Sequence, residues 1–416
     1  MAPGPPRSLN VFKNCFVCLA SGLKETAVVL ARATSNRGSR LGRLRLGLRR
    51  RGRGGAAASL LACLALAAPA GALAQAEAAP DSTTPIAFAE RSLHILHLPL
   101  LDFGPARPDA IEPGSVRWTA EAAYGNTFST TWHARRVHDN EERRGTELSR
   151  EEVDYLHEAF AQDEILFLDG ELLRTALTGR FGLSRTTFVS VDVPFIVRGG
   201  FSLDGSVRDF HKTLGTGQNG RDEFPSGRLT VLLQSPGGPV TFVEKPLESG
   251  FGDVTATFSW RTRARGNGLA YGGDLAVKAP SGSAEDFNGS GGWDGGLLLF
   301  LAWKKAKWTL EADASLIVPG AWKVPVPLDP QPFARILLSV IRDLGRRSRV
   351  GLSSTFAQSP FRKRDYSTLS DPGYELALGF EYDVGPGLSA RLMLLENLPN
   401  FGDRADVGLV LGLRYR

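Results

Sequence analysis

The chain has 416 residues, 42% of them hydrophobic and 22% charged, with a formal net charge of +5. The positive balance sits in residues 1–74, which hold twelve Lys and Arg against the single acid Glu25; the rest carries 37 basic and 43 acidic residues, net −6, so charge gives no argument for a nucleic-acid partner. All three cysteines (Cys15, Cys18, Cys63) also lie in that segment, which leaves the rest of the chain without thiolate catalysis or cysteine metal sites.

Arg37 to Arg53 contains eight arginines and no acid, and an apolar run follows from Ala56 to Ala68. Ala72-Leu73-Ala74 then supplies a small-x-small cleavage site before Gln75. The pattern predicts a secretory signal peptide over 1–74, whose over-long basic n-region points to a translation start downstream of Met1. Leu60-Leu61-Ala62-Cys63 offers a lipoprotein-like cleavage site as the alternative. Past residue 75 no apolar run approaches the ~20 residues of a helical span. The exported chain is therefore expected to be either soluble in the periplasm or closed as a barrel. Residues 75–114 read as a periplasmic N-terminal segment.

From there the chain repeats amphipathic strands. The alternation predicts twelve: 115–126, 171–181, 184–197, 251–263, 268–280, 293–304, 307–319, 333–345, 348–360, 372–384, 387–397 and 404–415. Side chains alternate faces along a strand. Val116, Trp118, Ala120, Ala122 and Tyr124 oppose Arg117, Thr119 and Glu121; Trp308, Leu310, Ala312, Ala314 and Leu316 oppose Thr309, Glu311, Asp313 and Ser315. Short and long connections alternate without exception along this series. That order predicts a transmembrane antiparallel β-barrel (residues 115–416) with short periplasmic turns and long extracellular loops. In lipid an unpaired backbone group costs several kcal/mol, so the sheet must close. On this facing a charge at Leu310 or Leu378 should be costlier than one at Ala377, assigned to the inner face. The last strand ends on Tyr415, an aromatic C-terminal signal of the kind read by barrel-assembly machinery, followed here by Arg416.

In the longest connection Phe201, Val207, Phe210 and Leu214 have near-helical spacing, which predicts a short helix ending at Gly215. It could be a plug or lid over the barrel mouth, with Phe201, Asp204, Arg208, Phe210, His211, Arg221 and Asp222 as its residues, or a helix packed on the rim for stability. A hairpin over Arg228 to Val243, around Gly237-Gly238, extends the same loop.

The Gly-Gly-Phe-x-Leu-Asp-Gly…Phe-His…Gly-Arg-Asp run at 199–222, Leu395-Glu396-Asn397-Leu398, and the terminal Asp-Val-Gly-Leu…Gly-Leu-Arg-Tyr resemble an uncharacterised bacterial family. Its members are exported, predicted outer-membrane barrels carrying a domain of unknown function. The resemblance spans most of residues 85–415. It implies an outer-membrane location and no particular activity.

Chemistry-bearing residues are sparse outside the inner face. A barrel phospholipase would need a strand-borne His beside a Ser, and none of His94, His97, His133, His138, His157 and His211 falls on a predicted strand. His133 and His138, with Asp139, Glu141 and Glu142, read as a metal site or, more simply, as a solvated charged loop. Gly289–Gly296 lacks the Lys-Ser/Thr of a phosphate loop. The candidate lumen lining is Arg117, Glu121, Arg174, Asp192, Asp274, Lys278, Glu311, Asp313, Glu375, Glu381, Asp383 and Arg391. These residues either fill a narrow barrel with internal ion pairs or line a pore. The expected function is an outer-membrane channel or small-solute transporter. The alternatives are a structural envelope protein, a soluble periplasmic β-protein or, last, a barrel lipid hydrolase. The partners expected are outer-membrane lipid, the assembly machinery and a small solute; no cofactor is expected.

Overall fold

The computed structural model describes residues 87–106, 109, 111–137, 146–199, 224, 229–246, 248–262, 267–362, 366–385, 387–397 and 407–415. Among them are fifteen strands, and twelve build a closed wall. These are β1 (Val116–Thr130), β2 (Ile165–Gly182), β3 (Thr187–Arg198), β7 (Thr255–Arg261), β8 (Gly268–Lys278), β9 (Asp294–Lys305), β10 (Trp308–Val318), β11 (Phe333–Asp343), β12 (Ser348–Ala357), β13 (Gly373–Gly385), β14 (Leu388–Asn397) and β15 (Val407–Tyr415). Each pairs antiparallel with its neighbour, and β1 closes the ring by pairing with both β2 and β15. Ala122, for example, stands opposite Thr175 on one side and Leu411 on the other. Closure leaves the wall without an edge, as a bilayer requires.

The alternation of faces is plain on β9. Outward Leu297, Leu299, Leu301 and Trp303 are 42–50% exposed, while inward Leu298, Phe300 and Ala302 are 2–4% exposed. Similar outward rows run round the wall through Leu275, Leu310, Leu338 and Leu352. They form an apolar belt facing lipid, ended on the short-turn side by Trp260, Tyr271, Trp303, Trp308 and Tyr382. Short connections (183–186, 262–267, 306–307, 344–347 and 386–387) alternate with long ones, as the sequence predicts. A two-residue turn joins β9 to β10 and puts Ala306 at φ 53°.

On the long-loop side the wall rises further than the strand list anticipates. β1 runs on to Thr130 and β2 starts at Ile165, with Thr130 opposite Phe167. Inside the intervening connection lie two helices, α1 (Trp132–Arg136) and α2 (Arg150–Ala159). Ser149 caps α2 reciprocally with Glu152: its hydroxyl accepts from the Glu152 N–H and its own N–H donates to the Glu152 carboxylate. Val153 and Leu156 then pack with Phe128, Phe167 and Phe224. The predicted hairpin is β4 (Leu229–Gln234) and β5 (Val240–Lys245), with β4 added to the extension of β2. The strand predicted over 251–263 is two strands. β6 (Glu248–Phe251) pairs with the end of β3, and β7 begins only at Thr255. Asp253, between them, turns its carboxylate to loop groups and to Lys278. The predicted helix at 201–215, and with it every candidate plug residue from Phe201 to Asp222, lies outside the described residues.

The largest departure is the N-terminal segment. Residues 87–106 do not hang from the barrel but run inside it. Phe88 packs against Gly351 of β12 and Gly379 of β13, Leu93 against Gly125 of β1 and Gly408 of β15, Ile95 against Gly170 of β2, and Phe103 against Gly296 of β9. A segment that meets walls on every side lies within the lumen. Its physical cause is composition: Phe88, Leu93, Ile95, Leu96, Leu100, Leu101 and Phe103 carry apolar surface that the lumen buries.

Candidate functional site: the occupied lumen

The segment is a hairpin-like loop. Ala87 sits by Arg391, near the turn end of β14. The chain climbs to a tight turn at His94–Leu100, closed by the His97, Leu98 and Leu100 amides on the carbonyls of His94 and His97. It then descends past Phe103 and Ala106 to Asp109, which meets Arg117, Arg180 and Arg414 at the short-turn end. Its backbone-to-backbone bonds are local; the wall is reached mainly through charged side chains, and at the tip the Ile95 amide donates to Thr127 Oγ1 of β1 at 3.3 Å. Arg335 of β11 donates to the carbonyls of Phe103 and Glu90 and pairs with Asp102 at 3.2 Å. Arg391 donates to the carbonyl of Ala87 and lies over the Phe88 ring. Asp294 of β9 accepts from the Leu101 amide at 2.8 Å, and Asp313 of β10 from the Ala106 amide at 2.9 Å. Ionised partners make such bonds about twice as strong as neutral ones.

The tip is held differently. Ile95 and Leu96 enter an apolar cluster with Leu168, Val231, Phe287, Val326, Phe361 and Tyr366, drawn from β2, β4 and the long loops. His94 and His97 are buried there, their rings 4.8 Å apart. Ser92 Oγ lies 3.5 Å from His97 Nδ1, at the outer limit of a hydrogen bond, and the pair is sealed under that cluster.

The sequence-predicted lining residues fall into several groups. Arg174 pairs with Asp192 at 2.5 Å, and Thr178 donates to the same carboxylate. Arg117 pairs with Asp109. Asp274 accepts from Arg261 and Ser259 at 2.6 Å each. Lys278 is clasped by Asp253, Asp294 and Ser290. Glu381 gathers Arg349 at 2.5 Å, Arg414 at 3.4 Å and Arg391 at 4.0 Å, while Asp383 shares Arg349. Glu311 and Asp313 are buried on β10, Glu121 borders the space beside Glu90 and Arg174, and Glu375 is buried opposite Asn397 at the long-loop end. Sequence reasoning missed Arg180, Arg261, Arg335, Arg349 and Arg414. All five occupy inward positions of the alternation and were legible there. Asp102 and Asp109, outside the predicted strands, gave no such signal, while Asp253 held an inward position of the predicted strand 251–263 and was passed over.

Asp109 is the anchor at the short-turn end. Burial alone would raise its carboxyl pKa, but the guanidinium groups of Arg180, Arg414 and Arg117 outweigh it and hold the carboxyl well below the usual carboxylate range. Among the described residues no set of three metal-capable side chains converges. His133 stands 3.5 Å from Asp163 on the surface, and its proposed companions His138, Asp139, Glu141 and Glu142 lie outside the described residues. None of the described histidines (His94, His97, His133, His157) lies on a barrel strand.

No curated protein sequence matches the chain. Among solved structures, an outer membrane channel from Pseudomonas putida F1 is similar at 13% identity and a TM-score of 0.45, covering 76% of this chain and 99% of that one. The Ralstonia pickettii toluene transporter TbuX is similar at 9% identity and a TM-score of 0.37, covering 74% and 90%. The NanC porin is similar at 9% identity and a TM-score of 0.35, covering 71% and 99%. Residues 156–416 match the family described as "Protein of unknown function (DUF3187)", and the chain belongs to that family.

Proposed function

We propose that this protein is an outer-membrane channel for small solutes, held nearly closed by its own segment 87–106. The observation that carries the reading is the way that segment is held. A lipid-facing barrel encloses a chain that forms no backbone ladder with the wall, so the wall can stay fully paired whether the segment is in or out. Its fastenings are side-chain bonds to Arg335, Arg391, Asp294 and Asp313. The lining residues named from the sequence then face the solute path once the segment moves. In this reading the short turns face the periplasm, and Tyr415 serves the assembly machinery. Planar-bilayer recording tests it: the full chain should conduct weakly, and a variant lacking residues 87–106 should conduct strongly. A folded, heat-modifiable deletion variant with no conductance would sink the channel.

The filled lumen favours a second reading, a structural envelope barrel. It predicts that the deletion lowers thermal stability and leaves permeability of the outer membrane unchanged.

A further inference from the structure

The lumen segment does not seat evenly. Towards β9–β15 it is packed dry: Phe88 and Leu93 join Ala377, Met393, Leu395 and Val410, and Leu101 and Phe103 join Leu298, Phe300 and Ala302. Below the tip, towards β2, β3, β7 and β8, it stands off apart from Arg91 on Asp192 and an apolar cluster that takes in Ala270 and Ala276 of β8. There the inner face carries Thr178, Ser190, Thr255, Thr257 and Ser259, and a cavity of about 80 Å³ separates them from Arg91, Gly104 and Pro105. A water needs about 10–15 Å³ of such space, so this one holds several. A second cavity of about 30 Å³ continues towards the long-loop side, between His97 and the wall at Pro194, Asp253 and Lys278. Arg91, Asp102, Arg174 and Thr255 border both cavities. At their junction Arg91 and Arg174 meet Asp192 at 3.2 Å and 2.5 Å.

The exposures follow the same division. Thr178, Ser190 and Thr257 point inward and stay partly exposed, with Thr255 and Ser259 beside them buried, whereas inward Ala302, Ser353, Ala377 and Val410 on the opposite wall are all buried. Apolar surfaces close on each other and exclude water. Hydroxyls and ion pairs keep their hydration when no partner replaces it.

We infer that a narrow hydrated path runs along the β2–β3–β7–β8 wall with the segment in place, and that it passes water and small inorganic ions while larger solutes wait for the segment to leave. Acids and guanidinium groups are matched along it, with Glu90, Asp102, Glu121, Asp192 and Asp274 against Arg91, Arg174, Arg180, Arg261 and Arg391. The path is therefore weakly selective between cation and anion. Asp192, at the junction, is its gate.

The inference rests on the channel reading, and one set of recordings separates the two. Full-chain barrel in KCl should show a small conductance that Thr257→Trp lowers several-fold and Arg91→Ala raises. In the variant lacking 87–106, Thr257→Trp should have little effect, because the whole lumen is open. A small water-soluble methanethiosulfonate should label the Thr257→Cys variant and spare the Ala302→Cys variant, with the labelled peptide located by mass spectrometry. That labelling holds as a test even if Thr257→Trp fails to fold. A silent full chain beside a conducting deletion variant would overturn the path and leave the channel. So would labelling of the Ala302→Cys variant in preference to the Thr257→Cys variant. Silence of both proteins would overturn the channel itself.

Discussion

The tip and the legs of the lumen segment are bound by opposite physics. At the tip, Ile95 and Leu96 are buried among Phe361, Tyr366 and Leu168 with no charged partner. Along the legs, Arg335, Arg391, Asp294 and Asp313 grip backbone groups through the polar interior. Apolar burial is non-directional and tolerates sliding. Charge-assisted bonds fix position, and losing one partner leaves a buried group unsatisfied. The tip therefore supplies affinity for the long-loop mouth, and the legs set where the chain runs.

Disrupting the leg at Phe88 should have the largest effect. A side chain at Gly379 would overlap the Phe88 ring. Gly379→Leu is expected to evict the ascending leg, raise conductance toward that of the deletion variant and leave β12–β13 pairing intact. Unchanged conductance from a folded variant would show that Phe88 is not a fastening. Next is Arg335→Ala, which removes the donor to the Glu90 and Phe103 carbonyls and leaves the Asp102 carboxylate without its ion pair, held by the Ser92 amide. Breaking such a buried arrangement costs about 3–5 kcal/mol, read as a fall in melting temperature and faster proteolysis within 87–106. Leu96→Ala at the tip should instead change proteolysis without moving ion conductance.

The two faces of β13 give a third and smaller test. Leu378→Arg puts a charge against lipid at about 2–4 kcal/mol and should impair assembly. The alternation predicts Ala377→Arg to be milder because it faces inward. Ala377 does face inward, and there it is buried in the cluster with Phe88, Ile341 and Met393. Ala377→Arg should assemble but displace the segment, so heat-modifiability survives while conductance rises.

The smallest effect concerns Asp109. Its folded pKa is depressed, so its contribution is fully present above the unfolded value of about 4 and is lost as pH falls through the folded value. The Asp109 contribution to wild-type melting should hold steady from neutral pH down to about 4 and decline below it, and Asp109→Asn should flatten this part of the decline. An identical acid limb in both proteins would remove Asp109 from the anchor.

The wall was legible in the sequence because lipid imposes a strict rule on it. Period-two alternation, strand length and the parity of connections are local quantities, and closure follows from the cost of an open edge. One further signal was present and unread: Leu297 to Trp303 is apolar on both faces. A strand apolar on both faces is covered on both, which here means that β9 has an apolar lumen neighbour. What only the tertiary structure decided is which chain that neighbour is. Residues 87–106 have no regular period, and their partners lie as much as 304 positions away, as for Arg391 and Ala87. The same holds for Asp102 and Asp109, which become ion-pair centres because the folded wall brings Arg335 and Arg180 to them. A strand carries its own facing in its alternation, whereas a loop inside a barrel acquires its environment only when the barrel closes around it.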